Sequence, residues 1–339
     1  MYANDAGSGD IRKLLSVKGL TTSFRVDGQF YAAVDGVDWH VLPGEVFAFV
    51  GESGSGKSAM ALSLVRLHNM NYTRISGEVL FKGADIISMD MNSLYKVRGA
   101  GIGYIFQDPL TALNPLHRIG QQIEEGLIYH TKFSAAGRKE RAMELLHSVG
   151  MENPVLTYNQ FPHELSGGMR QRAMIAIAIS CKPDLIIADE PTTALDVTIQ
   201  AQILDLLRDL QKETGSSMIL ITHDLGVVAE MADRVAVMYA GQIVETAPVL
   251  ELFENPKHPY TRSLLNSVPE NLTDSARLNT IQGIVPSLQN LPRTGCRFAD
   301  RIPWINAGDH QENPTYHEVS PDHFVLCTCY KTFAFREVS

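Results

Sequence analysis

The distribution of apolar and polar residues predicts a chain in which strands and helices alternate. Apolar and polar positions alternate over residues 14–24 and 29–41, which is the pattern of half-buried β-strands. Nearly continuous apolar runs at 46–50, 185–188 and 217–222 are typical of strands buried in a parallel sheet. Shorter strands are predicted at 77–81, at 103–106 and on both sides of the Ala240-Gly241 pair. Helices are predicted at 59–65, 119–148, 170–179, 197–214 and 225–231.

The character of the chain changes at residues 255–259 (NPKHP). From there onward Pro, Asn and polar residues are frequent and the hydrophobic periodicity is weak. We therefore expect a regular domain at 13–254 and a separate, less regular C-terminal module at 255–339. Residues 1–12 are expected to form a loose polar leader.

Residues 51–58 (GESGSGKS) have the spacing G-x-x-x-x-G-K-[ST] of a phosphate-binding loop. They lie between a predicted strand and a predicted helix, which is the context that this motif requires. Glycines permit the tight turns that direct backbone N–H groups at an anion, and the helix start adds its positive dipole end. Lys57 is expected to reach the β- and γ-phosphates, and Ser58 to ligate Mg²⁺. The alternative is a Gly/Ser-rich loop that contains a lysine by chance, and it leaves the flanking elements unexplained.

Two acidic residues, Asp189 and Glu190, end the apolar run that begins at residue 185. At the carboxyl end of a parallel strand, Asp189 can hold Mg²⁺ through water and Glu190 can polarise a water for attack on the γ-phosphate. Acids in this position can also simply cap the following loop. The phosphate loop and a second residue at a strand end, His223, favour the interpretation as a nucleotide site over a simple loop cap.

Composition restricts the partners and the compartment. The formal net charge of −9 argues against nucleic acid as the main partner, because binding to phosphate backbones requires a basic face. Four cysteines are too few for a disulfide scaffold and fit a reducing compartment. Neither a signal peptide nor a run long enough to span a bilayer is visible. We expect a cytosolic protein whose connection to a membrane is made by another chain.

The order of motifs over residues 13–250 resembles that of the ATP-binding cassette (ABC) ATPases. Residues 51–58 match Walker A, 165–169 (LSGGM) the LSGGQ signature, 185–190 Walker B and 194–196 the D-loop. One departure is Met169, where the signature usually has glutamine. The resemblance assigns catalysis to Glu190, His223 and the Q-loop residue Gln107, and metal binding to Ser58, Gln107 and Asp189. It assigns nucleotide binding to Phe24 (stacking on adenine), Gly51, Ser53, Gly54, Ser55, Gly56, Lys57, Ser58, Ala59, Ser166, Gly167, Gly168 and Asp196.

The resemblance also implies the architecture and the partners. The expected fold is an α/β P-loop NTPase with a RecA-like core, an antiparallel β subdomain and a helical subdomain at about 110–180. In the family, ATP is held between the Walker A loop of one subunit and the signature of another in a head-to-tail dimer. The glycines at 167–168 would then serve a neighbouring chain's nucleotide from a helix start. Implied partners are a second (F-type) ATPase chain, two membrane-spanning permease chains and an external peptide-binding protein.

Several segments of the tail narrow the resemblance to the D-type ATPases of oligopeptide and dipeptide importers, which act at the cytoplasmic face of the membrane. They are 258–265 (HPYTRSLL), 268–269, 284–288 (IVPSL), 291–292 and 295–298 (GCRF), together with 106–115 (FQDPLTALNP) in the first domain. The alternatives are a regulatory extension in an importer for nickel or another solute, and a non-transport ABC ATPase. A catalytically inactive subunit is disfavoured by the intact Glu190 and His223.

The cysteines of the tail raise the question of an iron–sulfur cluster. In many relatives four cysteines in this region hold an iron–sulfur cluster, and Cys296 and Cys327 fall on the outer two positions. Ile302 and Asp309 stand at the inner two, so we expect the cluster to be lost. Three residues nearby offer possible replacement ligands: His310, His317 and Cys329. The alternative is that these are ordinary thiols, and Cys181 is expected to be a small core residue.

Overall fold

The computed structural model describes residues 13–193, 195–267 and 283–335. The predicted leader, Ala194 of the D-loop and the tail segment 268–269 lie outside these residues. Within the described part of the chain, no helix is long and apolar enough to cross a membrane.

The described strands and helices follow the predicted alternation. The strands are β1 (Leu15–Val26), β2 (Gln29–Val41), β3 (Val46–Val50), β4 (Thr73–Phe81), β5 (Ala84–Asp85), β6 (Ile102–Ile105), β7 (Leu185–Asp189), β8 (Ser217–Ile221), β9 (Arg234–Tyr239), β10 (Gln242–Pro248), β11 (Tyr316–Ser320) and β12 (His323–Leu326). The helices are α1 (Lys57–Leu64), α2 (Met91–Val97), α3 (Pro109–Ala112), α4 (Ile119–His130), α5 (Ala135–Ser148), α6 (Pro154–Asn159), α7 (Gly167–Ala178), α8 (Val197–Thr214), α9 (Leu225–Met231), α10 (Val249–Glu254) and α11 (Pro259–Leu265).

Two sheets organise these elements. Strands β2, β1, β4 and β5 form an antiparallel sheet in that order. The larger sheet has the order β11-β12-β10-β9-β3-β8-β7-β6 and is parallel from β9 to β6. Strands β3, β7 and β8 are buried along their whole length, as their continuous apolar sequences predict for a sheet covered on both faces.

The pleat of β3 separates two hydrophobic cores. Phe47 and Phe49 face the core shared with the antiparallel sheet, α1 and α2, whereas Ala48 and Val50 face the larger core, which includes residues of α4, α5, α7 and α8. Since side chains alternate across a strand, one five-residue segment supports both layers. The loop that follows β3 is therefore held by the centre of the molecule.

The helical region differs from its prediction in two places. The stretch of helical character predicted at about 119–148 contains two helices, because the chain is extended at Thr131 and Ser134 caps a new helix by accepting a hydrogen bond from Gly137 N. The helix predicted from residue 170 begins instead at Gly167, because Ser166 accepts a hydrogen bond from Met169 N at 3.3 Å. Both glycines of the signature thus lie in the first turn of α7.

The C-terminal tail packs directly against the first predicted domain through strand pairing and buried polar contacts. Strand β12 pairs with β10, so the tail extends the main sheet. The buried carboxylate of Glu245 accepts hydrogen bonds from Lys257 N and His258 N, and it lies 2.7 Å from His323 Nε2. Tyr260 is fully buried in the larger core. The domain boundary at 254/255 stays a prediction.

Candidate functional site

The segment 51–56 turns sharply between β3 and α1 and requires glycine at two close approaches. Gly51 has φ +150°, and a Cβ there would lie 2.1 Å from the backbone oxygen of Met238. Gly56 has φ +104°, and its Cβ would lie 2.6 Å from Ala33 O. Such distances are impossible for a side-chain carbon, so the motif glycines are imposed by backbone packing as well as by the conformation.

Lys57 is buried at the centre of this phosphate loop, and only 4% of the residue is exposed. Its Nζ donates to Gly51 O at 2.7 Å, to Glu52 O at 3.0 Å and to Ser55 Oγ at 3.3 Å. Burial lowers the pKa of Lys57, and the nearby carboxylate of Glu190 opposes that shift. The ammonium group is therefore held by two backbone oxygens and one hydroxyl, near the acids that follow β7.

Asp189 ends β7 directly opposite the phosphate loop. Ser58 Oγ donates to its Oδ1 at 2.9 Å, and the hydroxyl of Tyr104 donates to its Oδ2 at 3.0 Å. Burial raises the pKa of Asp189, while these two hydrogen bonds lower it. A hydroxyl and a carboxylate side by side are the oxygen ligands that Mg²⁺ prefers, so Ser58 and Asp189 fit the predicted metal role.

Glu190 follows the strand rather than ending it, which corrects the predicted strand end, and it has a left-handed backbone with φ +46°. Its Oε2 accepts hydrogen bonds from Gln107 Nε2 at 3.0 Å and from Thr193 Oγ1 at 2.8 Å. His223 Nδ1 lies 3.6 Å from the same oxygen. The three residues predicted to be catalytic are therefore brought together on one carboxylate.

Two polar partners of the acidic pair, Tyr104 and Thr193, were not predicted from the sequence. Tyr104 lies in β6, where it is in register with Ile187 of β7. A tyrosine in an otherwise apolar strand was a weak signal, because burial of its hydroxyl requires a partner. Thr193 gave no signal that distinguishes it from a turn residue.

Phe24, predicted to stack on adenine, lies near the end of β1 in the antiparallel sheet. Its ring meets the ring of His68 edge-on at a centroid distance of 5.3 Å. His68 Nε2 lies 2.8 Å from Ala59 O in the first turn of α1. A chain of contacts therefore links Phe24 to the helix of the phosphate loop, and its adenine role stays a prediction.

The signature forms a second, distinct region at the start of α7. Ser166 and Gly167 are exposed, and a Cβ at Gly168 would lie 3.0 Å from Ile199 Cγ2 of α8. Asp196 caps α8 by accepting a hydrogen bond from Ile199 N at 3.0 Å. No hydrogen bond between described residues joins this signature region to the phosphate loop or to Glu190. The structure thus gathers the predicted nucleotide-binding residues into two groups.

The tail contacts the phosphate loop, a feature that sequence reasoning missed. Arg301 forms a bidentate ion pair with Glu52, with distances of 2.6 Å and 3.1 Å. The hydroxyl of Tyr260 accepts a hydrogen bond from Glu52 N at 2.7 Å. Because Arg301 and Glu52 are 249 positions apart, no local pattern could have indicated this support.

The three cysteines of the tail lie close to one another in the structure. Ile302, at the position of an inner cluster ligand, is buried in the larger core, and Asp309 is absent from the potential ligand group found among the described residues. That group consists of Cys296, His310, Cys327 and Cys329. His317 contacts Gln311 and Thr315 instead.

Two protein families match the chain. The family described as ABC transporter matches residues 34–193, and the family described as oligopeptide/dipeptide transporter, C-terminal region, matches residues 244–304.

Relatives of similar length share about half of the residues. The oligopeptide transport ATP-binding protein OppD of Lactococcus lactis subsp. cremoris is 52% identical over 325 residues, which cover 96% of each chain. The protein of that name in Bacillus subtilis is 50% identical over 318 residues, which cover 93% of this chain and 88% of the relative.

Solved structures align with about 70% of the chain. A dimeric ATP-binding cassette in a post-hydrolysis state, bound to ADP and Pi, aligns with a TM-score of 0.63 and 30% identity. It covers 69% of this chain and 98% of that one. The cbiO1 protein of Clostridium perfringens, part of an ABC transporter complex, aligns with a TM-score of 0.61 and 28% identity over 72% of this chain and 92% of that one.

The phosphate loop after β3, with paired acids at the carboxyl end of β7 in the same parallel sheet, defines a P-loop ATPase. The chain belongs to the ABC transporter family, among the oligopeptide transport ATP-binding proteins.

Proposed function

We propose that this chain is the subunit that binds and hydrolyses ATP to energise an importer for oligopeptides. The observation that carries the proposal is the convergence of Gln107, Thr193 and His223 on the carboxylate of Glu190, beside the Ser58–Asp189 pair. The peptide substrate is supported by the matching C-terminal family and by the names of relatives that share about half of the residues.

In the proposed mechanism Glu190 polarises the attacking water. Gln107 and Thr193 each donate a hydrogen bond to the same carboxylate oxygen, which fixes the direction of the Glu190 side chain. His223, whose side chain is 67% exposed, lies on the open side, where it can contact the γ-phosphate. Each of these groups acts through position and charge, which is the main requirement for phosphoryl transfer.

The remaining polar residues hold the nucleotide. Lys57 supplies the charge for the β- and γ-phosphates, and the N-terminus of α1 adds backbone donors. Mg²⁺ would be held by the Ser58 hydroxyl and, through bound water, by Asp189, with Gln107 nearby. The ion would neutralise charge on the phosphate oxygens. Tyr104 orients the Asp189 carboxylate through the oxygen that faces away from Ser58.

The second group of residues acts on a partner in this proposal. Ser166, Gly167 and Gly168 form a helix start, exposed at Ser166 and Gly167, that shares no hydrogen bond with the chain's own phosphate loop among the described residues. The partner would be a second, F-type ATPase chain, so that ATP is held between Walker A of one chain and the signature of the other. The dimeric arrangement of one matching cassette structure supports this assembly. Two permease chains and an external peptide-binding protein would complete an importer at the cytoplasmic face of the membrane.

The test is stimulation of hydrolysis by transported cargo. The chain is assembled with its partner ATPase and permeases in proteoliposomes, and ATP turnover is measured with the cognate binding protein, with and without oligopeptide. We expect oligopeptide-loaded binding protein to increase turnover several-fold over unloaded protein, and a Glu190→Gln assembly to show no increase. Stimulation by nickel and not by peptide would contradict the proposed substrate.

A further inference from the structure

We propose that the C-terminal tail holds a single divalent metal ion, Zn²⁺ by preference, through Cys296, His310, Cys327 and Cys329. One ligand atom from each of these residues lies within 4.8 Å of all the others. Three thiolates and one imidazole are a ligand set of structural zinc sites, in which the ion is four-coordinate and tetrahedral. This set differs from the four cysteines of the cluster-bearing relatives, because two of its members stand at other positions.

The spacing of the ligand atoms favours one ion over a cluster. With metal–sulfur bonds of about 2.3 Å, the sulfurs of a tetrahedral zinc site are separated by about 3.8 Å. The group is already compact, with no ligand pair beyond 4.8 Å, so it closes around one ion by small side-chain rotations. A cluster of four irons and four sulfides would have to fit between the same atoms, which requires the ligands to lie much further apart. The position of Ile302, buried in the core, removes an inner cluster ligand entirely.

The surroundings leave polar atoms that a metal would satisfy. His310 Nδ1 is buried and has no hydrogen-bond partner. Cys327 and Cys329 are each only 1% exposed, so their sulfurs are shielded from solvent. Burial of an unpaired polar nitrogen is unfavourable, and coordination by a metal would remove that cost. None of the four residues takes part in the proposed ATP chemistry.

The site would join three segments that have little regular structure. Cys296 precedes the 3-10 turn that carries Arg301, His310 follows a second such turn, and Cys327 directly follows β12. Small irregular regions bury too little apolar surface to be rigid, and a structural metal is one of the devices that compensate. The ion would therefore hold the tail in the arrangement that places Arg301 on Glu52 of the phosphate loop.

The experiment measures metal content in the purified full-length chain. After production in zinc-supplemented medium and gel filtration, we expect about one zinc per chain by elemental analysis. Reconstitution of the metal-free chain with Co²⁺ should produce the absorption of a tetrahedral thiolate complex. Cys329→Ser and His310→Gln should each reduce zinc content at least tenfold, whereas His310→Cys should retain the ion and intensify the thiolate-to-cobalt absorption. The matched controls are Cys181→Ser and His317→Gln, which lie outside the group and should leave binding unchanged.

Nucleotide binding, measured on every variant, shows that the first domain is folded and separates metal loss from unfolding. The proposal is overturned if the wild-type chain holds less than about a tenth of a zinc and gives no tetrahedral cobalt spectrum, or if His317→Gln loses as much metal as His310→Gln. About four irons with sulfide per chain, after anaerobic purification, would equally overturn it, because that result means a cluster.

Discussion

The phosphate-loop region and the signature region contain the same kind of element, a helix start with glycines, but their surroundings are opposite. At α1, Lys57 is buried and Ser58 already bonds the Asp189 carboxylate. At α7, Ser166 accepts a hydrogen bond from Met169 N in the helix's own first turn, and Ser166 and Gly167 are exposed. We propose that the phosphate loop, which is packed against acids and a β-sheet, works with the chain's own residues, and that the signature is completed by a neighbouring chain. On this proposal the molecule carries one self-contained half-site and one half-site that is donated.

The largest effect is expected from Glu190→Gln. The amide keeps the shape and the contacts with Thr193 but cannot take a proton, so turnover should fall by about 10²–10⁴-fold while ATP still binds. Steady-state hydrolysis in the assembled transporter and equilibrium ATP binding by the isolated chain provide the two readouts. Glu230→Gln, an exposed acid paired with Arg208, is the control and should be neutral. Retention of more than about a tenth of wild-type turnover would remove Glu190 from its role.

Lys57→Ala should act on binding itself. Loss of a charge-assisted hydrogen bond, worth about 1.5–3 kcal/mol, should weaken ATP affinity of the isolated chain by about 10- to 100-fold. The control Lys212→Ala removes a cation from the last turn of α8, far along the chain from the loop. Normal ATP affinity in the Lys57 variant, measured by calorimetry, is incompatible with the phosphate-loop assignment.

Gly168→Asp separates the two regions most clearly. The new carboxylate would lie where the γ-phosphate of ATP bound to the partner approaches, and it would repel that phosphate. Turnover should therefore fall at least about tenfold at the ATP site that this signature completes. ATP affinity of the isolated chain should not change, because its own loop is untouched. Gly168→Ala controls for the contact with Ile199, and Gly137→Asp places the same charge in the first turn of α5, where space is available. An equal loss of affinity and turnover would contradict a donated half-site.

The smallest effect is expected from Arg301→Gln. The ion pair with Glu52 is partly exposed on the acid's side, at 27%, so its loss should cost about 1 kcal/mol and weaken ATP binding by up to about tenfold. Arg262→Gln is the matched control in the same tail, since Arg262 contacts Phe333 O instead of the loop. Identical ATP affinities for the two variants would show that the tail does not support the loop.

The elements that could be predicted from the sequence are those with a clear local pattern of apolar residues. The apolar runs that became β3, β7 and β8 are short and uninterrupted, and parallel strands bring their carboxyl ends to one edge. The meeting of Ser58, Asp189 and Glu190 followed from that rule and from the order of the motifs. The break between α4 and α5 was not predicted, because a serine such as Ser134 occurs both at exposed positions within helices and as a helix N-cap.

The tail could not be predicted in the same way. Its contacts are long-range: β12 joins β10, and Arg301 reaches Glu52 across 249 positions. Short elements with few apolar residues show weak hydrophobic periodicity. The strand that β12 pairs with, and the side of the sheet that it joins, can therefore not be predicted from the sequence. The cysteine group was foreseen only as possible substitutions, because the turns that bring His310 to Cys327 depend on tertiary packing.

The most direct test of the central claim locates the nucleotide that the signature contacts. A photoreactive γ-phosphate analogue of ATP is bound to the assembled transporter in which this chain carries Lys57→Ala, so that its own loop is weakened. After illumination, the labelled peptide is identified by mass spectrometry. We predict labelling of segment 165–169 of this chain that requires the partner ATPase and disappears when the partner's own Walker A lysine is removed. Labelling of this segment in the isolated wild-type chain, or its absence from the assembly, would contradict the donated half-site.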